Sequence, residues 1–206
     1  MFQDRDDAGR QLARAVRDVM APDTVIAALP RGGVPVAQHI AHTFGRPFST
    51  ILVRKLGVPA NEEFAFGAIA PGGVQVIDHE TVDRIGLSPH AISEVIAREE
   101  SELARRMARF PHLDAQAIAD HPVLIVDDGI ATGATALAAV RAAQAMGATS
   151  VTVAAPVASQ QAVLALRHAG AHVVTLDIPQ FFGAVGAFYA DFTQVSDEDV
   201  IALLNS

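Results

Sequence analysis

The sequence contains no cysteine, so disulfides, thiolate metal sites and thiol nucleophiles are all excluded. It also has no apolar run approaching the roughly 18 residues that a membrane-spanning helix requires. The first residues, MFQDRDDAGR, lack the apolar core of a signal peptide. We therefore expect a cytoplasmic globular protein that has no membrane partner.

Positive charge is scarce as well. Lys and Arg number 15 against 23 Asp and Glu, which gives a formal charge of −8. This excess repels the backbone of nucleic acid over most of the surface, so we expect no nucleic-acid partner. The largest basic cluster, Arg105, Arg106 and Arg109, follows several glutamates in AREESELARRMARF (97–110). That pattern is typical of a solvent-facing helix with ion pairs.

The 206 residues indicate a single domain, because no linker and no internal repeat divides them. Short apolar and β-branched runs predict strands that are covered on both faces, as in a parallel sheet. These runs are 24–29, 48–54, 123–127, 150–156 and 172–178.

Helical patterns lie between the predicted strands, at 33–44, 134–146 and 159–169. Ser159 is the expected N-cap of the third, while Gly147 and Gly170 close the second and third. The alternation of strand and helix predicts an α/β fold with a doubly wound, mainly parallel sheet. In such sheets ligands bind beyond the carboxyl ends of the strands, near the point where strand order reverses.

Four segments fall outside this alternation. We predict an amphipathic helix at 6–19, a loop with a hairpin at 57–77, and a long helix at 88–110 that begins at Ser88 and Pro89. The tail, 179–206, is expected to form a lid that ends in a short helix capped by Ser196, with Asp199 three residues on.

The most informative segment is VLIVDDGIATGAT (123–135), in which a buried strand runs into two carboxylates and a loop of small residues. Gly129 and Gly133 allow the backbone to approach a ligand, and amides at the following helix N-terminus can bind a phosphate. The loop lacks the lysine of GxxxxGK[ST], and no GxGxxG follows a strand elsewhere. A phosphate site beside two carboxylates suits a sugar phosphate whose vicinal hydroxyls bond to the acids.

This segment resembles the signature of the type I phosphoribosyltransferases: an apolar run, two acids, then small and hydroxyl residues ending in Gly-x-Thr. LPRGG (29–33) resembles the loop that holds diphosphate in that family, and VRKLG (53–57) with the residues after it resembles the family's mobile loop. The overall pattern is most similar to uncharacterised predicted phosphoribosyltransferases with LPRGG, VRKLG and VDDGIATGAT. The resemblance implies the type I fold over residues 1–206, with a core of about 20–178 and a small hood from about 1–19 and 179–206.

The resemblance also implies the chemistry. The donor would be 5-phosphoribosyl 1-diphosphate, the cofactor Mg²⁺, and the acceptor a small nitrogenous compound, with diphosphate released. Asp127 and Asp128 would bind the ribose hydroxyls and contact Mg²⁺ only through those hydroxyls or water. The implied catalytic residues are Arg31, Arg54, Lys55 and Asp128. The implied substrate-binding residues are Pro30, Arg31, Gly32, Gly33, Asp127, Asp128, Gly129, Ala131, Thr132, Gly133, Ala134 and Thr135.

One departure limits the choice of acceptor. Family members that act on 6-oxopurines carry an aspartate where this chain has Ala131, and the loop is more similar to that of the adenine and uracil enzymes. Glu62 and Glu63 could supply a carboxylate, or they could be solvated acids on a hairpin. The tail aromatics could stack on a planar acceptor, although we favour packing in a core; they are Phe181, Phe182, Phe188 and Tyr189.

Other interpretations stay open. The same pocket could belong to a regulator that senses phosphoribosyl diphosphate or a nucleotide without turnover, or to a hydrolase or phosphorylase that uses water or phosphate as acceptor. The family usually forms dimers near the mobile loop, so we expect a homodimer. The apolar segment FAFGAI (64–69) could lie in that interface or be buried within one subunit.

Overall fold

A five-stranded parallel sheet forms the centre of the computed structural model, which describes residues 1–59 and 61–206 apart from the side chains of Glu62 and Glu63. Its strands are β1 (Val25–Ala28), β2 (Phe48–Thr50), β6 (Pro122–Val126), β7 (Ser150–Val157) and β8 (His172–Asp177). The strand order is β2-β1-β6-β7-β8, so the order reverses between β1 and β6. This arrangement confirms the predicted doubly wound α/β fold.

The strands form where the sequence has β-branched and apolar residues that are buried from both sides. In β6, Val123, Leu124, Ile125 and Val126 are all buried. They divide between two apolar clusters, with Val123 and Ile125 packing on the side of α6 (Ala134–Ala145) and Leu124 and Val126 on the side of α2 (Gly33–Phe44). This alternation follows from the opposite directions of successive side chains in a strand.

A second sheet is antiparallel, with the order β3-β4-β5. Its strands are β3 (Arg54–Val58), β4 (Asn61–Ala70) and β5 (Val74–Ile77), which confirms the predicted hairpin. The single strand predicted at 48–54 is wrong, because β2 ends at Thr50 and β3 begins at Arg54. Residues 51–53, which connect the two strands, are buried. Because they are as apolar as a strand, the sequence pattern does not show that β2 ends before them.

Helices cover both sheets. Those predicted from the pattern are α1 (Arg5–Ala15), α2 (Gly33–Phe44), α4 (Pro89–Met107), α6 (Ala134–Ala145), α7 (Gln160–His168) and α8 (Asp197–Leu204). Two short helices were not predicted, α3 (His79–Ile85) and α5 (Ala115–Ile118), and each has an aspartate N-cap. The predicted caps Ser88, Ser159 and Ser196 all accept a hydrogen bond from a main-chain amide of the first turn.

The two ends of the chain contact each other. The amide of Phe2 donates to the carbonyl of Phe188 at 2.8 Å, and the amide of Ala190 donates to the carbonyl of Phe2 at 2.8 Å. Helix α1 packs on α2, and α8 packs on α2 as well. The division of the chain into a core and a hood stays a prediction. In the part of the chain that the structure describes, no helix is both long enough and apolar enough to cross a bilayer.

The ion pairs on α4 differ in part from the expectation. Arg105 and Arg106 do pair with Glu102 on the helix surface, as predicted. Glu99, however, is only 6% exposed, and its carboxylate binds Arg54 of β3 and Arg98. Helix α4 therefore turns one glutamate into the core, where the basic side chains compensate its charge.

Candidate functional site

Two predicted loops meet at the carboxyl edge of the parallel sheet, where β1 and β6 end side by side. Ala28 of β1 is paired with Val126 of β6, so the residues that follow each strand are adjacent. The amide of Leu29 donates to the carbonyl of Val126 at 2.8 Å, and the Pro30–Arg31 peptide bond is cis. LPRGG and DDGIATGAT therefore lie together as one candidate site at the point where strand order reverses, which is where open α/β sheets bind their ligands.

Glycines bring the two loops into direct contact. A Cβ added at Gly32 would lie 1.9 Å from Oδ2 of Asp128, and one added at Gly33 would lie 2.3 Å from the carbonyl oxygen of Val126. Neither distance is possible for real atoms, so only glycine allows the first loop to lie against the second. The Gly32-Gly33 pair is thus a packing requirement of the site as well as the start of α2.

The adjacent carboxylates lie in an unfavourable environment for charge. Burial, followed by the neighbouring charge of Asp128, raises the pKa of Asp127 well above its usual range. Burial also raises the pKa of Asp128, although its hydrogen bond from Arg5 opposes that effect. The main-chain amide of Asp128 donates to Oδ1 of Asp127 at 2.9 Å. A ligand that donates hydrogen bonds to these oxygens would relieve part of the cost of the paired charges.

Arg5 is a site residue that the sequence did not reveal. Its Nε donates to Oδ2 of Asp128 at 2.8 Å, and its Nη1 donates to the carbonyl of Thr193 at 2.7 Å. The guanidinium carbon lies 3.9 Å from the ring centroid of Phe192. The two residues of the ion pair are separated by 123 positions in the sequence, so no local pattern could have indicated the contact.

Tyr189 is the second residue from outside the two loops that reaches the site. Its hydroxyl donates to the main-chain carbonyl of Asp128 at 2.5 Å, and its ring packs against Phe2 and Phe192. Burial raises the pKa of this phenol, so it remains a donor. The preference for core packing over acceptor stacking is therefore confirmed for Tyr189. It is wrong for Phe181, which is 86% exposed.

The loop after the aspartates has the form expected of a phosphate cradle. Gly133 has φ +79°, a left-handed conformation that favours glycine, and it is the N-cap of α6. Among the described residues, the amides of Ala131, Thr132 and Gly133 donate to no protein group, and the amide of Ala134 makes only a 3.4 Å bond to Oγ1 of Thr132. Main-chain donors are therefore available at this helix N-terminus.

Neighbouring segments fix the cradle from outside. Oγ of Ser159 donates to the carbonyl of Ala131 at 2.6 Å, and the amide of Ser159 donates to the carbonyl of Ile130 at 2.9 Å. On another side, a Cβ added at Gly129 would lie 2.4 Å from Cγ1 of Val185, so the tail packs directly on this loop. Thr132 is exposed and Thr135 is exposed as well.

Arg31 lies at the edge of two cavities. One, of about 370 Å³, is also lined by Arg5, Gly32, Asp128 and Phe192. The other, of about 880 Å³, is lined by arginines of the α4 C-terminus. Nη1 of Arg31 lies 3.4 Å from Oδ1 of Asp197, whose second oxygen is bound by Arg109. Arg31 thus lines the same cavity as Asp128, with a side chain that remains partly exposed.

Arg54 and Lys55 lie on β3, in the second sheet. The guanidinium of Arg54 is bound by Glu99 at 2.6 and 2.8 Å, on the side of the sheet that α4 covers. Lys55 is paired with Ala68, which packs in the apolar cluster of α6, so the two basic side chains point to opposite faces. Arg54 therefore has a structural partner, and the catalytic roles of both residues stay predictions.

The segment FAFGAI (64–69) and the two glutamates before it are the remaining candidates. Within FAFGAI, Phe66 and Ile69 are buried inside the chain, while Phe64 is exposed. The side chains of Glu62 and Glu63, and the whole of Ala60, lie outside the described residues, so a carboxylate supplied from this segment stays a prediction.

Comparison with known proteins identifies relatives over the whole chain. A family model described as the phosphoribosyl transferase domain matches residues 5–193. A Mycobacterium tuberculosis protein, whose name assigns it provisionally to the phosphoribosyl transferases, is 43% identical over 206 residues. That alignment includes 100% of this chain and 46% of the relative, so the chain spans about half the length of the curated relatives it matches.

Solved structures show the same fold. The protein TT1426 from Thermus thermophilus is 40% identical, with a TM-score of 0.87 over 98% of this chain and 97% of that one. A hypothetical protein from Neisseria gonorrhoeae, solved with bound ppGpp, has a TM-score of 0.52 at 13% identity, over 100% of this chain and 97% of that one. The second likeness is one of fold alone.

Proposed function

The chain belongs to the type I phosphoribosyl transferase family, and from that premise we propose that it transfers the 5-phosphoribosyl group of 5-phosphoribosyl 1-diphosphate to a nitrogenous acceptor. The observation that carries the proposal is the contact between the two loops. Asp128 lies against Gly32, beside free main-chain amides at the N-terminus of α6. One phosphorylated pentose can therefore reach carboxylates, amides and Arg31 together.

Each part of the site has a role in this reaction. Asp127 and Asp128 bind the two ribose hydroxyls, and their charge favours the positive ring that develops as the bond to diphosphate breaks. The amides of residues 131–135 and the hydroxyls of Thr132 and Thr135 bind the 5-phosphate. Arg31 and Lys55 stabilise the negative charge on the departing diphosphate. Catalysis then depends on positioning and on preorganised electrostatics.

Mg²⁺ is part of the same proposal. Among the described side chains, no three or more His, Asp or Glu residues form a group that could hold a metal ion. The pair Asp127 and Asp128 fits an ion held mainly by the donor, because Mg²⁺ commonly combines one or two carboxylates with substrate phosphates and water. These aspartates would hold it through hydroxyls or water, and the bound ion would neutralise charge on the leaving diphosphate.

The acceptor is left unassigned by this proposal. The alanine at position 131 supplies no carboxylate to assist deprotonation of a 6-oxopurine. The proposal also includes a homodimer and a cytoplasmic location. Because the chain spans about half of its curated relatives, the activity of any longer protein that contains it is likewise a proposal.

The test is diphosphate release from donor and Mg²⁺ with a panel of bases, small amides and phosphate. We expect release with at least one acceptor, and Asp128→Asn to lose on the order of 3 kcal/mol of transition-state stabilisation, roughly a hundredfold in rate. Asp18→Asn, which changes an exposed aspartate outside the two loops of the site, is the matched control. Unchanged turnover in Asp128→Asn would refute the assignment.

The same experiment separates the alternative of a sensing regulator. A regulator would bind the donor, measured by calorimetry, without releasing diphosphate with any acceptor. Release with water or phosphate alone would instead indicate a hydrolase or a phosphorylase. The reaction therefore has to be followed with and without each acceptor, and donor binding has to be measured independently.

A further inference from the structure

The ion pair between Arg5 and Asp128 is nearly enclosed. The side chain of Arg5 is 12% exposed and that of Asp128 is 13% exposed. Three contacts fix the guanidinium: Oδ2 of Asp128 at 2.8 Å, the carbonyl of Thr193 at 2.7 Å, and the ring of Phe192 at 3.9 Å. Exposed ion pairs contribute little to stability. An enclosed, charge-assisted hydrogen bond of this geometry is stronger and restricts the motion of both side chains.

The Asp128 carboxylate is held between two surfaces. On one side Gly32 lies so close that a Cβ there would be 1.9 Å from Oδ2, and on the other Arg5 donates to the same oxygen. The main chain of Asp128 is fixed separately by the hydroxyl of Tyr189. The carboxylate of Asp128 is thus bound by Arg5, while its main-chain carbonyl is bound by the tail.

Groups other than Arg5 already hold the two ends of the chain together. Main-chain hydrogen bonds connect Phe2 with Phe188 and Ala190, and the amide of Asp191 donates to the carbonyl of Gln3. Helix α1 also buries Ala8, Leu12 and Ala13. The ends are therefore joined by contacts that do not involve the guanidinium, and these contacts do not account for its placement on Asp128.

We propose that Arg5 is a positioning residue, which holds the Asp128 carboxylate in the orientation that accepts a ribose hydroxyl of the donor. This inference rests on the proposed function. Arg5 acts through Asp128, so its contribution disappears when the Asp128 carboxylate is removed. Because the ribose gains positive charge only as the reaction proceeds, a misoriented carboxylate lowers kcat more than it raises the KM for the donor.

A double-mutant cycle tests this relationship. Arg5→Ala, Asp128→Ala and the double variant are compared for binding of 5-phosphoribosyl 1-diphosphate and for kcat with any acceptor that supports turnover. We expect Arg5→Ala to weaken donor binding measurably and to lower kcat by on the order of tenfold to a hundredfold. The double variant should be no worse than Asp128→Ala alone, because residues that act as a unit are not additive.

Further variants keep the test decisive. Arg5→Lys retains the positive charge but lacks the planar guanidinium, so it should recover part of the donor binding and kcat that Arg5→Ala loses. Arg10→Ala removes an exposed arginine from the same helix and should match the wild type. Thermal unfolding of each variant shows whether it is folded, and if Arg5→Ala does not fold, the cycle is run with Arg5→Lys.

The outcomes separate this inference from the proposed function. A wild-type chain that binds no donor overturns both. The wild type could instead bind the donor or turn it over, while the effects of Arg5→Ala and Asp128→Ala multiply in the double variant. That result overturns the positioning role alone. The positioning role alone is also overturned if Arg5→Ala has the donor binding and kcat of the wild type.

Discussion

The hydroxyl of Tyr189 donates a 2.5 Å hydrogen bond to the main-chain carbonyl of Asp128, across 61 positions of sequence. This bond connects the irregular tail to the strand end that carries the paired acids. Tyr189 is itself buried against Phe2, so both ends of the chain contribute to the wall of the site. Changes in the tail should therefore affect the site as well as the fold.

Tyr189→Phe tests that connection by removing only the hydroxyl. It leaves a buried carbonyl without its partner, so we expect a loss of about 1–2 kcal/mol in the free energy of unfolding, measured in urea. Thr43→Val removes an exposed hydroxyl from α2 and should cost no more than about 0.5 kcal/mol. Equal stability of the two variants would contradict a structural role for the Tyr189 hydroxyl.

Gly32→Ala should distort the site, because the added methyl group clashes with the Asp128 carboxylate. The added methyl would lie 1.9 Å from Oδ2 of Asp128, so the carboxylate or the LPRGG loop has to move. We expect diphosphate release to fall by at least about a hundredfold, because small misplacements of reacting groups are costly. Gly183→Ala, where an added Cβ meets no atom within 4 Å, is the control. Full activity of Gly32→Ala would show that the two loops need not touch.

Arg54 is expected to stabilise the fold whatever its role in catalysis. Arg54→Ala removes one of the cations that bind the buried carboxylate of Glu99, and we expect a cost of about 3 kcal/mol in unfolding free energy. Arg105→Ala breaks an exposed pair with Glu102 and should cost less than about 1 kcal/mol.

A double variant then separates stability from chemistry at this position. Replacing Arg54 and Glu99 together by methionine removes both charges, so much of the lost stability should return. If diphosphate release also returns, Arg54 is structural, and if release stays low in a stable protein, the predicted catalytic role is supported.

The predictable part of this fold is the part encoded in local patterns. Apolar β-branched runs marked all five strands of the parallel sheet, and serine caps and glycine ends marked the main helices. The exception, residues 51–53, is buried in a segment that joins two sheets, where apolar composition alone does not distinguish a strand from a connection. Helix α3 was missed because its N-cap, Asp78, directly follows an apolar strand.

The predictable part of the site is likewise local. Asp127, Asp128 and the glycines of both loops are each close in sequence to the strand that positions them. Arg5 and Tyr189 reach Asp128 from opposite ends of the chain, and those contacts arise only from the packing of α1 and the tail. Long-range partners of this kind have no sequence spacing that could predict them.

The carboxylate of Asp78 caps α3 and also lies 3.4 Å from Nη2 of Arg141. The hydrogen bond from the amide of Thr81 lowers the pKa of Asp78 below its ordinary value of 3.8. A lowered pKa stabilises the fold above the unfolded-state value, and this contribution is lost as the pH falls below about 4. Asp78→Ala should therefore cost about 1 kcal/mol near neutral pH, measured by urea unfolding, and the difference from the wild type should shrink below about pH 4. Asp83→Ala, an exposed position on the same helix, should show no such convergence, and a pH-independent cost of Asp78→Ala would mean that the ionised cap is not the source of the stability.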